Sequence, residues 1–257
     1  MGNTKYIAKW SGGANSTVMI FELIKRGMPL DYILFNDTGY EFEIMYQYVH
    51  FIRNKLSLDY NIKPILNNTS ERAKRIYDGW LYGKYTRGAK EGRVRGWPKQ
   101  HVPLPWCRRL LKIEATDLWV EENCKGQKVE YYLGYTKEEH NRMVLKDGFS
   151  YPLALWGYGS DECLCYLMEN GIWNPLYDYF DRTGCYLCHL QGKDSFRTIY
   201  KHFPAEWAEI KSIENKLIKM NAANIEITHG YTTDLLEKEW AEEERLKAEA
   251  PEQMALF

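Results

Sequence analysis

Two groups of residues in this chain have the types and spacing to do chemistry. The first is Ser11-Gly12-Gly13-Ala14-Asn15-Ser16-Thr17. Adjacent glycines let backbone N–H groups curl toward an anion, and a helix beginning there adds the positive end of its dipole. Ser11, Ser16 and Thr17 offer hydroxyls to the same phosphate oxygens. Asn15 puts a neutral carbonyl where a carboxylate would favour Mg²⁺, so anion binding is retained while metal dependence stays open. Taken alone, the two glycines could serve only to turn a strand into a helix. The second group is made of thiols: Cys107 in Pro105-Trp106-Cys107-Arg108-Arg109, and the pair in Thr183-Gly184-Cys185-Tyr186-Leu187-Cys188-His189. Cys-x-x-Cys spacing lets two thiolates reach one metal ion. A redox dithiol is the alternative, although no thioredoxin-like strand and helix surround it. Cys107, in the first turn of a predicted helix beside two arginines, is expected to be partly thiolate.

The elements that must carry these groups follow from periodicity. Residues 5–10 read as a buried strand and 16–26 as a helix that stops at Gly27. A second strand covers 31–36 and ends in Asp37-Thr38-Gly39-Tyr40-Glu41-Phe42. A helix over about 41–56 follows, then a third strand over 60–66, where Pro64 points to a sheet edge or strand end. Further on come a helix over 106–122, a strand over 127–133 with Gly134 to Arg142 at its tip, and a helix over 160–170. Amphipathic helices cover 192–202 and 204–219, and a charged helix covers 234–250, with Asp234 as its N-cap and Glu237 at the N3 position. Repeated strand–helix units predict an α/β fold with a doubly wound, mainly parallel, Rossmann-like sheet. Ligands of such sheets bind at the carboxyl ends of the strands, where both Gly12 and Asp37 fall. The expected domains are a nucleotide-binding α/β domain over 1–150 and a mainly helical, cysteine-bearing region over 151–257.

Composition narrows the class. At 257 residues and 45% hydrophobic, with 9 Trp and 20 Tyr, the chain is long enough to bury one α/β core with a small appendage. No apolar run approaches the ~20 residues that span a bilayer, and the N-terminus lacks a signal-peptide core, so the cytoplasm is expected. In a reducing compartment, clustered cysteines point to metal or redox chemistry rather than to a disulfide scaffold. Cys163 and Cys165, two apart on one predicted helix, face different ways; Cys163 is an extra candidate ligand, and Cys124 a weaker one. A net charge of −1 hides a basic stretch: nine Lys or Arg against Glu91 alone between Lys84 and Lys112, interleaved with Trp80, Tyr82, Tyr85, Trp97 and Trp106. Such a stretch suits a polyanion, either the phosphates of a nucleotide or a nucleic acid, with aromatics to stack on bases. A solvated loop is the alternative.

The first loop resembles the Ser-Gly-Gly-x-Asp-Ser PP-loop of the adenine-nucleotide α-hydrolase superfamily, with Asn15 replacing the aspartate. Together with Asp37-Thr-Gly-Tyr-x-Phe42 it resembles the phosphoadenosine phosphosulfate (PAPS) reductase family, over about residues 5–220. The resemblance implies that Ser11, Gly12, Gly13, Asn15 and Ser16 hold phosphate and that Phe35, Asp37 and Gly39 line the adenosine side. It also implies a substrate-phosphate role for Arg142. Trp106-Cys107 to Lys112, followed by a later Cys-x-x-Cys, is similar to a branch of that family with sulfur-transferring members. Those relatives imply Cys107, Cys185 and Cys188 as catalytic and cluster-holding residues around a four-iron four-sulfur centre with one open iron. Zinc, with His189 or Cys163 as fourth ligand, is the structural alternative. The implied reaction is that of an ATP pyrophosphatase or sulfurtransferase acting with an iron–sulfur cluster. Its acceptor would be tRNA or DNA bound through 84–112, and a sulfur-donor protein is a candidate partner. The alternatives are a PAPS or adenylylsulfate reductase that forms sulfite, or a non-catalytic nucleotide or nucleic-acid binding module with structural zinc. Two family signatures are missing: the adjacent Cys-Cys pair and the C-terminal Glu-Cys-Gly-x-His nucleophile.

Overall fold

Five strands build one all-parallel sheet in the order β3-β2-β1-β4-β5. They are β1 (Thr4–Trp10), β2 (Tyr32–Asn36), β3 (Ile65–Asn67), β4 (Lys128–Leu133) and β5 (Phe149–Ser150). This computed structural model describes residues 4–67, 70–98, 104–144 and 146–249. The central position of β1 explains its apolar run: Ile7 and Ala8 are fully buried because both faces of a parallel sheet are covered. The third strand lies at the sheet edge, as Pro64 suggests, but it is shorter and later than the expected 60–66: a helix runs on to Tyr60 and the strand starts only after the proline.

The strand order reverses between β1 and β4. Right-handed connections therefore lead away from these two strands to opposite faces of the sheet, which opens a crevice at their carboxyl ends. Helix α1 (Ala14–Lys25) starts at that crevice and buries Val18, Met19, Ile20 and Leu23 completely. Each such side chain contributes about 1.5–3 kcal/mol, so Leu23→Ala would cost about 2–5 kcal/mol. Helix α2 (Glu43–Tyr60) buries Met45, Val49, Ile52 and Leu56 and ends at Asn61 in a left-handed conformation.

The chain divides into two compact units, each assembled from separate stretches. The first holds the sheet and comprises Met1–Tyr77 and Cys107–Cys185; the second comprises Asp78–Trp106 and Tyr186–Phe257. Helix α3 (Ser70–Leu81) runs from the first stretch into the second unit's sequence. The helix expected over 106–122 is interrupted. It forms α4 (Trp106–Arg108), a π-helical turn (Arg109–Glu114) and α5 (Ala115–Asn123). Polar groups occupy the carbonyls at this turn: Asn36 Nδ2 donates to Lys112 O at 3.2 Å, Thr116 Oγ1 donates to the same oxygen at 2.7 Å, and Asn67 Nδ2 donates to Ala115 O at 2.9 Å. Residues 151–156 contain the short helix α6 (Pro152–Leu155), and α7 (Ser160–Glu169) follows.

In the second unit, α8 (Lys193–His202), α9 (Pro204–Lys219) and α10 (Thr233–Glu249) enclose Phe196, Ile199, Trp207, Ile210, Leu217, Leu236 and Trp240. The expected cap of the last helix is corrected. Leu235 N donates to Thr232 Oγ1 at 3.4 Å and the buried Glu214 carboxylate accepts Thr233 N at 2.8 Å, so Asp234 lies inside the first turn. Glu237 accepts from Trp207 Nε1 and Lys211 Nζ, both at 2.7 Å, and so is not reaching back to a cap. Among the described residues no helix is long and apolar enough to cross a membrane.

Candidate functional site

The loop between β1 and α1 is built largely by its own hydroxyls. Ser16 Oγ accepts Ser11 N at 3.1 Å, donates to Gly13 O at 3.1 Å and lies 3.1 Å from Ser11 Oγ. Thr17 N donates to Gly13 O at 3.1 Å, the first helical bond, so the N–H groups of Ala14, Asn15 and Ser16 precede the ladder and have no intrahelical acceptor. No acidic residue occupies the first turn of α1, which leaves its positive end uncompensated there. Gly12 has φ +76°, and a Cβ on it would come within 2.5 Å of Met45 Sδ, so both its conformation and the available space require glycine. Thr17 is corrected from the sequence reading: it is fully buried and its hydroxyl accepts the indole N–H of Trp10 at 3.0 Å.

Asn15 faces across the crevice. Its Nδ2 donates to Glu139 Oε2 at 3.4 Å. Glu139 belongs to a 3-10 helix (Lys137–Arg142) after β4, where it also accepts Thr136 N at 3.2 Å and pairs with Arg142. Arg142 stacks over the Tyr135 ring at 4.6 Å and is more than half exposed. The structure thus brings a carboxylate, Glu139, to the loop that lacks its own acid.

At the end of β2, Asp37 is buried and organises its turn. Its carboxylate accepts Gly39 N at 2.7 Å, the Tyr46 hydroxyl at 2.9 Å and the Ser70 hydroxyl. Phe35 is 3% exposed and meets Trp10 edge-on at 5.6 Å. On β1, Lys9 Nζ lies 4.8 Å from the Tyr131 ring, and burial lowers its ammonium pKa.

A segment far along the chain packs on the same loop. Asn174, fully buried, donates from Nδ2 to Gly12 O at 2.9 Å. Tyr177, in a 3-10 helix (Pro175–Asp178), accepts Ala14 N on its phenolic oxygen at 2.7 Å. Thr183 Oγ1 lies 2.9 Å from where a Cβ on Gly13 would be. Sequence reading missed Asn174, Tyr177 and Thr183; no local motif marks them, and only the position of Thr183 just before the Cys-x-x-Cys offered a clue.

Of the cysteines, Cys107, Cys185 and Cys188 are half-buried. Cys163 is fully buried in α7, and burial pushes its thiol up to about 12, the reverse of what a metal-binding thiolate needs. Cys165, on the same helix, is exposed. Cys124 packs with Ile7 and Leu34 in the core, and its thiol is also raised by burial. His189 is 3% exposed. Among the described residues, no group of three or more His, Cys, Asp or Glu side chains is arranged to hold a metal ion.

In the second unit, the basic stretch folds as a small hairpin. Tyr85 N donates to Arg93 O and Gly92 N to Tyr85 O, both at 2.9 Å. Lys84, Arg87 and Arg93 are exposed. The aromatics are engaged internally. Trp97 is 2% exposed, Trp80 stacks on Trp106 at 6.2 Å, and the Arg95 guanidinium lies 4.5 Å from the Trp80 ring. Lys99 falls outside the described residues.

A family model, the phosphoadenosine phosphosulfate reductase domain, matches residues 5–191. The chain belongs to that family. An uncharacterized protein of Methanocaldococcus jannaschii is 26% identical over 219 residues, covering 79% of this chain. The chain spans 40% of that relative's length. Among solved structures, the phosphate complex of PAPS reductase from Candida auris is similar at 18% identity and a TM-score of 0.45, covering 70% of this chain and 81% of that one. The matched span includes the first loop, the Asp37 turn and both cysteine segments.

Proposed function

We propose that this chain is an adenine-nucleotide-dependent sulfurtransferase whose phosphate site is the loop from Ser11 to Ser16. The observation that carries the reading is the position of Thr183. Its hydroxyl packs on Gly13, and Cys185 follows two residues later, so at most about 7 Å of backbone separates this contact from the cysteine segment. A thiol-bearing segment thus starts at the phosphate loop, which is what coupling nucleotide activation to sulfur delivery requires. Ser11, Gly12, Gly13, Asn15 and Ser16 would hold phosphates, with Arg142 at the rim. Phe35, Asp37 and Gly39 would shape the nucleoside side. Adenylylation of an acceptor oxygen by ATP releases pyrophosphate. The outer sulfur of a persulfide on one of Cys107, Cys185 or Cys188, loaded by a sulfur-donor protein, would then attack the activated carbon and displace AMP. A second of these thiols would cleave the S–S bond to free the thiolated acceptor, and an external thiol would reduce the resulting disulfide. The exposed Lys84, Arg87 and Arg93 suit a tRNA or DNA acceptor.

Three thiols are chemically suited to iron–sulfur or zinc binding. The described residues do not gather such a ligand group, so no step here passes through a metal centre. Metal content of protein purified without oxygen, compared with Cys107→Ser, Cys185→Ser and Cys188→Ser variants, tests the cluster directly. Stoichiometric iron lost in each variant supports it, and iron-free protein overturns it.

A second reading, reduction of PAPS or adenylylsulfate to sulfite, draws on Asp37-Thr-Gly-Tyr-Glu-Phe42 and on the family itself. Incubation with PAPS or adenylylsulfate and a thiol separates the two. The transferase reading expects no sulfite, together with pyrophosphate release from ATP when bulk tRNA is present. Sulfite formation would replace it with the reductase.

A further inference from the structure

We propose that Tyr177 and Thr183 are phosphate-binding residues, supplying two hydroxyl donors that complete the loop from Ser11 to Ser16; this rests on that loop being the nucleotide site. Three hydroxyl oxygens converge on the face of Gly13 that lacks a side chain. Measured from where a Cβ would stand, Thr183 Oγ1 is at 2.9 Å, the Tyr177 hydroxyl at 3.4 Å and Ser11 Oγ at 3.5 Å. A methyl group at this position would collide with Thr183, so glycine is what allows the far segment to close on the loop.

The hydrogen bonds around Tyr177 determine which way its own proton points. Its oxygen accepts Ala14 N at 2.7 Å. With that backbone donor arriving, the phenolic O–H is left to donate in turn. Burial keeps the phenol protonated, so this donor is retained at neutral pH. The backbone donor at the start of α1 is therefore relayed through a phenol, and a chain of this kind polarises each of its members. The segment cannot drift from the loop easily. Asn174 holds Gly12 O through Nδ2 at 2.9 Å while its Oδ1 accepts Leu176 N at 3.0 Å, which fixes the turn that presents Tyr177.

Calorimetric titration with ATP, pyrophosphate and adenosine tests this on the full chain and on Tyr177→Phe, Thr183→Val, Thr183→Ser and Ser16→Ala. Loss of one hydrogen bond to a charged phosphate lowers affinity about tenfold. Tyr177→Phe and Thr183→Val are expected to lose about that much for ATP and pyrophosphate, with adenosine binding unchanged, while Thr183→Ser binds like the parent. A merely structural role would weaken adenosine equally or lower the thermal midpoint in parallel. If the parent and Thr183→Val bind ATP alike while Ser16→Ala binds it weakly, the loop reading stands and this proposal falls. Tighter binding by Tyr177→Phe overturns it as well, because the phenol would then be an obstruction. A parent chain that binds neither ATP nor pyrophosphate removes the loop reading and this proposal with it.

Discussion

The side-chain amide of Asn15 and the carboxylate of Glu139 meet at 3.4 Å across the crevice where the strand order reverses. A neutral amide tolerates the nearby anion; a second carboxylate would not. Asn15→Asp should place two negative charges together at a cost of about 1–3 kcal/mol. A divalent cation should recover it. The expected result is a lowered thermal midpoint that Mg²⁺ restores in the variant and leaves unchanged in the parent. The double variant Asn15→Asp, Glu139→Gln should lose that Mg²⁺ dependence.

The cysteines should separate by reactivity. With its thiol pushed up to about 12, Cys163 at pH 8 is thiolate in only on the order of one molecule in ten thousand. Brief iodoacetamide treatment of the native protein followed by mass mapping should therefore leave Cys163 intact while Cys165 is modified. Cys163→Ser should cost about 1–3 kcal/mol by burying a hydroxyl in place of a thiol. Urea unfolding measures it.

Glu214 predicts how the second unit responds to pH. Burial raises its carboxyl from 4.5 to about 7, outweighing the hydrogen bonds from Thr233 N at 2.8 Å and Oγ1 at 2.6 Å. Because the folded chain holds this proton more tightly than the unfolded one, its stabilising contribution is complete below about pH 4.5 and fades as pH rises through 7. The parent should lose stability relative to Glu214→Gln between pH 5 and 8, by at most about 1.4 kcal/mol per pH unit. Denaturant midpoints for both proteins at several pH values show it, and parallel curves would refute it.

The hairpin carries a prediction about charge alone. Because Trp80 and Trp97 are engaged within the second unit, nucleic-acid affinity there should come from Lys84, Arg87 and Arg93. Replacing the three with Gln should weaken tRNA binding uniformly across sequences. It should also flatten the salt dependence by about 0.7–0.9 in log–log slope for each lost phosphate contact. Fluorescence anisotropy over a salt series measures both.

Much of the fold was legible because it rests on local patterns. Continuous apolar strands, the 3.6-residue period of α1 and α2, and Pro64 before β3 encode a parallel sheet and its edge within short windows of chain. The Gly-Gly turn between β1 and α1 was legible for the same reason, since the conformation of Gly12 and the start of α1 are set by neighbours in sequence. Interrupted helicity at Arg109–Glu114 was hidden, because the amides that occupy its carbonyls come from Asn36 and Asn67 on other elements. Cysteine spacing alone could not tell a ligand from a core residue; it took burial to place Cys124 and Cys163 in the interior.

Which residues meet at the loop is a question of another kind. Glu139 and Asn15 are 124 residues apart, and Tyr177 and Ala14 are 163 apart. No period or local motif encodes such pairs; each exists because sheet order and helix packing bring distant backbone together. The chain's own residues supply a Gly-Gly turn between strand and helix and a Cys-x-x-Cys, from which a phosphate site and metal or redox chemistry are expected. Long-range packing supplies the carboxylate opposite Asn15 and lays the segment leading to Cys185 against Gly13.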